Sequence, residues 1–259
     1  MTWFVLLVGV LGLLIGSFLN VVIWRVPRGE SVVSPPSHCP GCDTPIGPRD
    51  NIPVLSWLLL RGKCRTCGQP ISIRYPAVEL LTGVLFALMA AQLGLSWELP
   101  AFLYLAAVGL ALSAIDLDTR RLPNVLTVRS WPVMLALLAV PAAVGDQWPD
   151  LVRAALGGVA LLAFYLVLAL VNPRGMGLGD VKFAGLLGMG LGWLGWSELL
   201  VGGFLGFLLG GLWGLALIVS RRAGRGSSIP FGPFMYAGTI LGIVLGADVA
   251  AWYLGTTLG

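Results

Sequence analysis

Eight stretches of the chain are almost wholly apolar, and polar segments part them. A helix needs roughly 20 apolar residues to cross a bilayer. The pattern therefore predicts membrane helices at about 3–24, 76–95, 99–115, 125–145, 151–171, 181–197, 199–219 and 232–254. The break between the sixth and seventh, around Trp193–Leu200, is the least marked boundary. Only residues 25–75 form a sizeable polar segment. The predicted fold class is an all-α polytopic membrane protein, with about eight transmembrane helices and one small loop domain. Neither an internal repeat nor a low-complexity segment breaks the pattern.

Composition agrees with the pattern. The 259 residues are only 11% charged, against about 25% in a soluble domain. The net charge of +4 is too small, and its basic residues too scattered, for nucleic-acid binding. Those residues orient the helices instead. Met1-Thr2-Trp3 carries no basic group before the first apolar run, and Arg25 and Arg28 follow it. That order is the reverse of a secretory signal, so a retained first helix is expected, starting outside and ending in the cytoplasm. The inner segments are then 25–75, 116–124, 172–180 and 220–231. They hold Arg25, Arg28, Arg49, Arg61, Lys63, Arg65, Arg74, Arg120, Arg121, Arg174, Arg221, Arg222 and Arg225, which is 13 of the 16 basic residues. Arg129 and Lys182 lie just inside helices at the same face, and only Arg153 falls outside. The positive-inside rule is obeyed. The expected organisation is a first helix at 1–24, a cytoplasmic loop domain at 25–75 and a multi-helix domain at 76–259.

The loop 25–75 is rich in Pro, Gly, Ser and Cys and too short for a conventional core, so a staple is expected. All four cysteines lie in it, as Cys39-Pro-Gly-Cys42 and Cys64-Arg-Thr-Cys67. Two such pairs match a four-thiolate zinc site, each pair turning both sulfurs toward one ion. Gly41 and Gly68 are expected to give the knuckles their backbone freedom. Disulfides are the competing reading, and a reducing cytoplasm opposes it. His38 is not needed as a ligand. With no open position, this zinc would be structural.

Two sites place carboxylates at a membrane boundary, where an acid is costly. Asp116-Leu117-Asp118 closes the third apolar run, and Gly177-Leu178-Gly179-Asp180 opens the sixth. Both ends are cytoplasmic by the charge argument. Residues two apart on a helix point roughly 200° from each other. Only one of Asp116 and Asp118 can therefore meet Asp180. Gly177 and Gly179 allow a substrate backbone to approach closely. Two carboxylates sharing a site can divide the work of hydrolysis, one taking a proton from water and the other donating to a carbonyl oxygen. The plain alternative is ordinary interfacial acids paired with Arg120, Arg121 or Lys182. Glu79, one turn into the second helix, either reaches the interface, pairs with Arg74, or contacts a charged substrate group or cofactor.

With these residues in place, the chain closely resembles the type IV prepilin peptidases, membrane aspartic proteases that are often also N-methyltransferases. The resemblance runs nearly end to end. It covers Gly16-Ser17-Phe18-Leu19-Asn20-Val21-Val22-Ile23 with Arg25 and Pro27, both cysteine pairs, Asp50-Asn51-Ile52-Pro53 and Ser56-Trp57. It continues through Pro70-Ile71-Ser72, Arg74-Tyr75-Pro76 and Glu79-Leu80, then Ile115-Asp116-Leu117-Asp118 with Leu122-Pro123-Asn124. Gly177-Leu178-Gly179-Asp180-Val181-Lys182 and Ile229-Pro230-Phe231-Gly232-Pro233-Phe234 complete it. The family pattern carries an acid where Asn124 stands here.

The resemblance implies cleavage of a short basic leader from type IV prepilins or the pseudopilins of type II secretion, usually after a glycine. It implies the cytoplasmic face of a bacterial inner membrane, with no nucleic-acid partner. It further implies methylation of the new N-terminal residue, typically phenylalanine, with S-adenosylmethionine. The zinc loop accompanies that second activity, although no dinucleotide-type fingerprint appears. The implied catalytic pair is Asp116 with Asp180, because Asp116 lies six residues before Leu122; Asp118 is its competitor. The rival readings are a peptidase without methyltransferase activity, a presenilin-like protease that also uses Gly-x-Gly-Asp, and a transporter. The cysteine loop and short length oppose the second. Acids at one rim, without a repeat, oppose the third.

Overall fold

The computed structural model describes residues 2–171, 176–220 and 230–257. Arg174, Arg221, Arg222 and Arg225, with the inner turn 221–229, lie outside them. The described residues are helical, without a named strand: α1 Thr2–Arg25, α2 Leu55–Leu59, α3 Arg74–Leu93, α4 Leu99–Thr119, α5 Asn124–Thr127, α6 Ser130–Gly145, α7 Trp148–Val171, α8 Leu178–Leu194, α9 Trp196–Val219 and α10 Gly232–Thr257. Among the described residues, seven segments are long and apolar enough to cross a membrane, counting α5 and α6 as one. This is a multi-pass membrane protein. The eighth predicted span is α8, a helix of 17 residues. The uncertain break between the sixth and seventh predicted helices falls at Gly195, whose extended backbone parts α8 from α9.

The chain divides into two compact units, Met1–Leu99 and Pro100–Gly259. In the first, α1 packs on α3. Apolar side chains gain little from a neighbouring helix over lipid, so close backbone approach does the work. Gly12 and Gly16 of α1 supply it. A Cβ at Gly12 would lie 2.8 Å from Gly83 Cα, and one at Gly16 would lie 2.6 Å from Glu79 Cα. Arg25 then ties α1 to the loop, donating to the carbonyls of Ser31 at 2.9 Å and Pro35 at 2.7 Å. The loop wraps Trp57, whose Nε1 donates to Ile71 O at 3.0 Å.

In the second unit, α4 and α8 are the core. Every residue of α8 from Val181 to Trp193 is buried except Lys182. A helix apolar all round belongs inside a bundle. Glycines again set the distances, Gly157 and Gly158 of α7 against Gly185, Gly188 and Gly192 of α8, and Gly202 and Gly206 of α9 against Gly238 and Gly242 of α10. Tyr236 of α10 donates to Ala106 O of α4 at 2.7 Å.

Arg153, the one basic residue out of place by the charge rule, has a local reason. From α7 it donates to the carbonyls of Gly192, Trp193 and Leu194 at the end of α8. It also pairs with Asp150 at 2.9 Å. Terminal carbonyls have no partner within their own helix, and a cation suits that end of its dipole. Arg153→Ala should destabilise the protein by about 2 kcal/mol, the range of bonds to a charged donor, read as a lower melting temperature in detergent.

Candidate active site

Each unit carries a cluster of chemically active residues. In the first, the four cysteines come together, with all four sulfurs within 4.8 Å of one another. The two knuckles repeat one backbone pattern. Cys39 N–H donates to Thr44 O and Asp43 N–H to Cys39 O, while Cys64 N–H donates to Gln69 O and Gly68 N–H to Cys64 O. The residue after each second cysteine takes the left-handed conformation, Asp43 at φ 54° and Gly68 at φ 73°. That corrects the expectation for Gly41, which does not take a left-handed conformation, whereas Gly68 does. The N–H groups of Cys67 and Thr66 pull Cys64 down to about 6, which favours the thiolate a metal binds. The cluster can hold a metal ion. His38 stays outside it, exposed and 4.0 Å from Asp43.

Glu79 lies in the first unit, buried one turn into α3. Its Oε2 accepts from Val54 N–H at 2.7 Å, and the Ser17 side chain lies beside the same carboxylate.

In the second unit, α4 runs unbroken through Asp116 and Asp118 to Thr119. The two acids therefore diverge as helix geometry requires. Asp116 is buried and Asp118 exposed. Past Arg120, whose φ is 52°, the chain turns back so that Leu122 meets Gly179. A Cβ on Gly179 would come within 2.9 Å of Leu122 Cβ. Asn124 Oδ1 accepts from Lys182 Nζ at 2.8 Å in the same seam. These contacts bring the end of α4 to the start of α8. Asp180 then lies within range of the charge of Asp116.

Each carboxylate is held by a glycine amide. Asp180, half-buried at the third position of α8, accepts from Gly177 N–H at 3.1 Å. Asp116 accepts from Gly232 N–H at 2.9 Å, at the start of α10. Unpaired amides at a helix start are natural partners for an acid. Gly232 had no role in the sequence reading, although its Pro-Phe-Gly-Pro setting stood out. Tyr165 of α7 was missed entirely. It is buried in the field of Asp180, its ring 5.0 Å from Phe207 and 6.2 Å from Phe231. A tyrosine inside an apolar helical run gives no signal of its own.

Comparison with known proteins fits this division. Residues 10–93 match the family described as bacterial peptidase A24 N-terminal domain, and residues 101–215 match the type IV leader peptidase family. The chain is 38% identical to a prepilin leader peptidase/N-methyltransferase of Aeromonas hydrophila, over 96% of this chain and 93% of that one. It is 40% identical to the protein of that name from Neisseria gonorrhoeae, over 95% and 91%, and 32% identical to that of Bacillus subtilis, over 96% and 98%.

The chain belongs to the type IV leader peptidase family.

No solved structure matches it. Within this leader peptidase, each matched segment lies in one of the two units. The first contains the cysteines and Glu79, and the second contains Asp116 and Asp180. Gly232 and its bond to Asp116 lie beyond the second matched segment.

Proposed function

We propose that the chain removes the basic leader from type IV prepilins or pseudopilins at the cytoplasmic face of a bacterial inner membrane, and then methylates the new N-terminal amine with S-adenosylmethionine. The relatives' shared name supports both activities. The observation that supports the peptidase assignment is that Asp116 and Asp180 are each held by a glycine amide, with Asp180 in range of the charge of Asp116; we take the two as the catalytic pair. One carboxylate, ionised, takes a proton from a water whose oxygen attacks the scissile carbonyl. The other, protonated, donates to the carbonyl oxygen and stabilises the charge that develops there. Collapse of the adduct breaks the C–N bond, and the amine leaves with a proton. The acid and base roles belong to the pair. Exposed Gly177 leaves a substrate backbone room to approach Asp180, whereas Gly179 is taken up by its contact with Leu122.

A prepilin suits such a site. Its charged leader joins an apolar helix, so the scissile bond lies where water meets lipid. The burial of Asp116 and exposure of Asp118 support assigning the first catalytic acid to Asp116. In the loop, Cys39, Cys42, Cys64 and Cys67 would hold zinc. A four-thiolate site leaves no position for substrate, so the ion would fold the loop and take no part in hydrolysis.

Asp116→Asn and Asp180→Asn should each lower prepilin cleavage at least about 100-fold, while Asp118→Asn cleaves normally; mass analysis of the mature N-terminus reads all three. Full activity in Asp116→Asn would transfer the role to Asp118. Gly232→Ala places a Cβ 3.0 Å from Asp116 Oδ2. It should slow cleavage several-fold, whereas Gly211→Ala, which opens onto free space, should not. Metal analysis should return about one zinc per chain and little in Cys39→Ser. A metal-free native protein would sink the zinc assignment.

A further inference from the structure

Resting on the methyltransferase reading above, we infer that Glu79, with Ser17, forms the site that takes the free N-terminal amine of cleaved pilin and removes its proton for methylation. The chain has two units and two matched segments, and both proposed hydrolytic acids lie in the second. Glu79 lies in the first, and hydrolysis gives it no task. It is a buried carboxylate that accepts from Val54 N–H, a neutral donor, with the Ser17 side chain beside it and no ion pair among the described residues. A buried anion without a cation is costly and marks a site that a cation completes. The chain also strains itself to build this one. Val54, a β-branched residue, has φ 61° and ψ −49°, a region such residues avoid. That conformation aims its N–H at Glu79. Gly16 seats α1 directly against Glu79. Next to it, exposed Asn51 accepts through Oδ1 a long 3.5 Å bond from half-buried Ser17. An entering ammonium group can replace that weak contact.

The chemistry closes. The ammonium gives one proton to the Glu79 carboxylate. The freed lone pair on nitrogen attacks the methyl carbon of the sulfonium donor. The carbon–sulfur bond breaks, its electron pair stays on sulfur as the thioether, and the product is the methylammonium.

The test uses the full-length protein and a pre-cleaved pilin peptide, with its amine free or acetylated. Wild type should bind the free-amine peptide at least tenfold more tightly than the acetylated one by calorimetry, and should methylate it. Glu79→Gln keeps an acceptor for Val54 N–H and should lose both the discrimination and at least 100-fold in methylation rate. Its prepilin cleavage and its binding of S-adenosylhomocysteine should stay. Glu79→Asp should recover part of the discrimination. Normal methylation by Glu79→Gln overturns the proposal and leaves the methyltransferase reading standing. Loss of S-adenosylhomocysteine binding with discrimination intact also overturns it, assigning Glu79 to the donor. Joint loss of cleavage and methylation in both variants reduces Glu79 to a structural role. A wild type that methylates nothing overturns the methyltransferase reading itself.

Discussion

In hydrocarbon, one apolar helix attracts another little more than lipid does. A bundle there is held by close backbone contact and by a few polar bonds. This protein relies on both. Glycines on α1, α7, α8, α9 and α10 let backbones touch where any side chain would intrude. That closeness allows short, fixed side chains to act across helices. Gly232 N–H reaches Asp116 and Arg153 reaches the end of α8 because the helix backbones already stand close together.

The same economy shapes both clusters of acids. Asp116, Asp180 and Glu79 are each met by a main-chain N–H, from Gly232, Gly177 and Val54. A main-chain donor carries no net charge and has no rotamer freedom to lose. It steadies a carboxylate while leaving its charge available to water or to a substrate cation. An arginine in the same position would neutralise the acid and end its usefulness. The protein uses arginine for architecture instead, with Arg25 folding the loop and Arg153 closing α8.

Much of this was legible in the sequence, for identifiable reasons. Apolar runs broken by basic turns revealed the helices because bilayer thickness imposes a length. Paired Cys-x-x-Cys motifs revealed the sulfur cluster because metal coordination imposes a spacing. The divergence of Asp116 from Asp118 followed from helix pitch alone. Long-range contacts stayed hidden. Nothing local to Gly232 says which acid its amide meets, 116 residues away in sequence. Tyr165 looks like any other apolar position in α7. The grouping of α3 with α1 depends on which glycine faces find each other, and hydropathy is blind to that. Gly41 was misread because the position in a Cys-x-x-Cys knuckle that takes the left-handed turn is the one after the second cysteine, and the spacing alone does not say so.

The shortness of α8 has a consequence for where chemistry can occur. Its 17 residues make a rod of about 25 Å, against a hydrocarbon layer of about 30 Å. Arg153 fixes one end of that rod and Asp180 rides near the other. A rod shorter than the slab cannot reach both surfaces. On the proposed peptidase reading, that shortness lets the acid work from a recess, so that a bond at the foot of a membrane helix can be cut without first being lifted clear of the lipid.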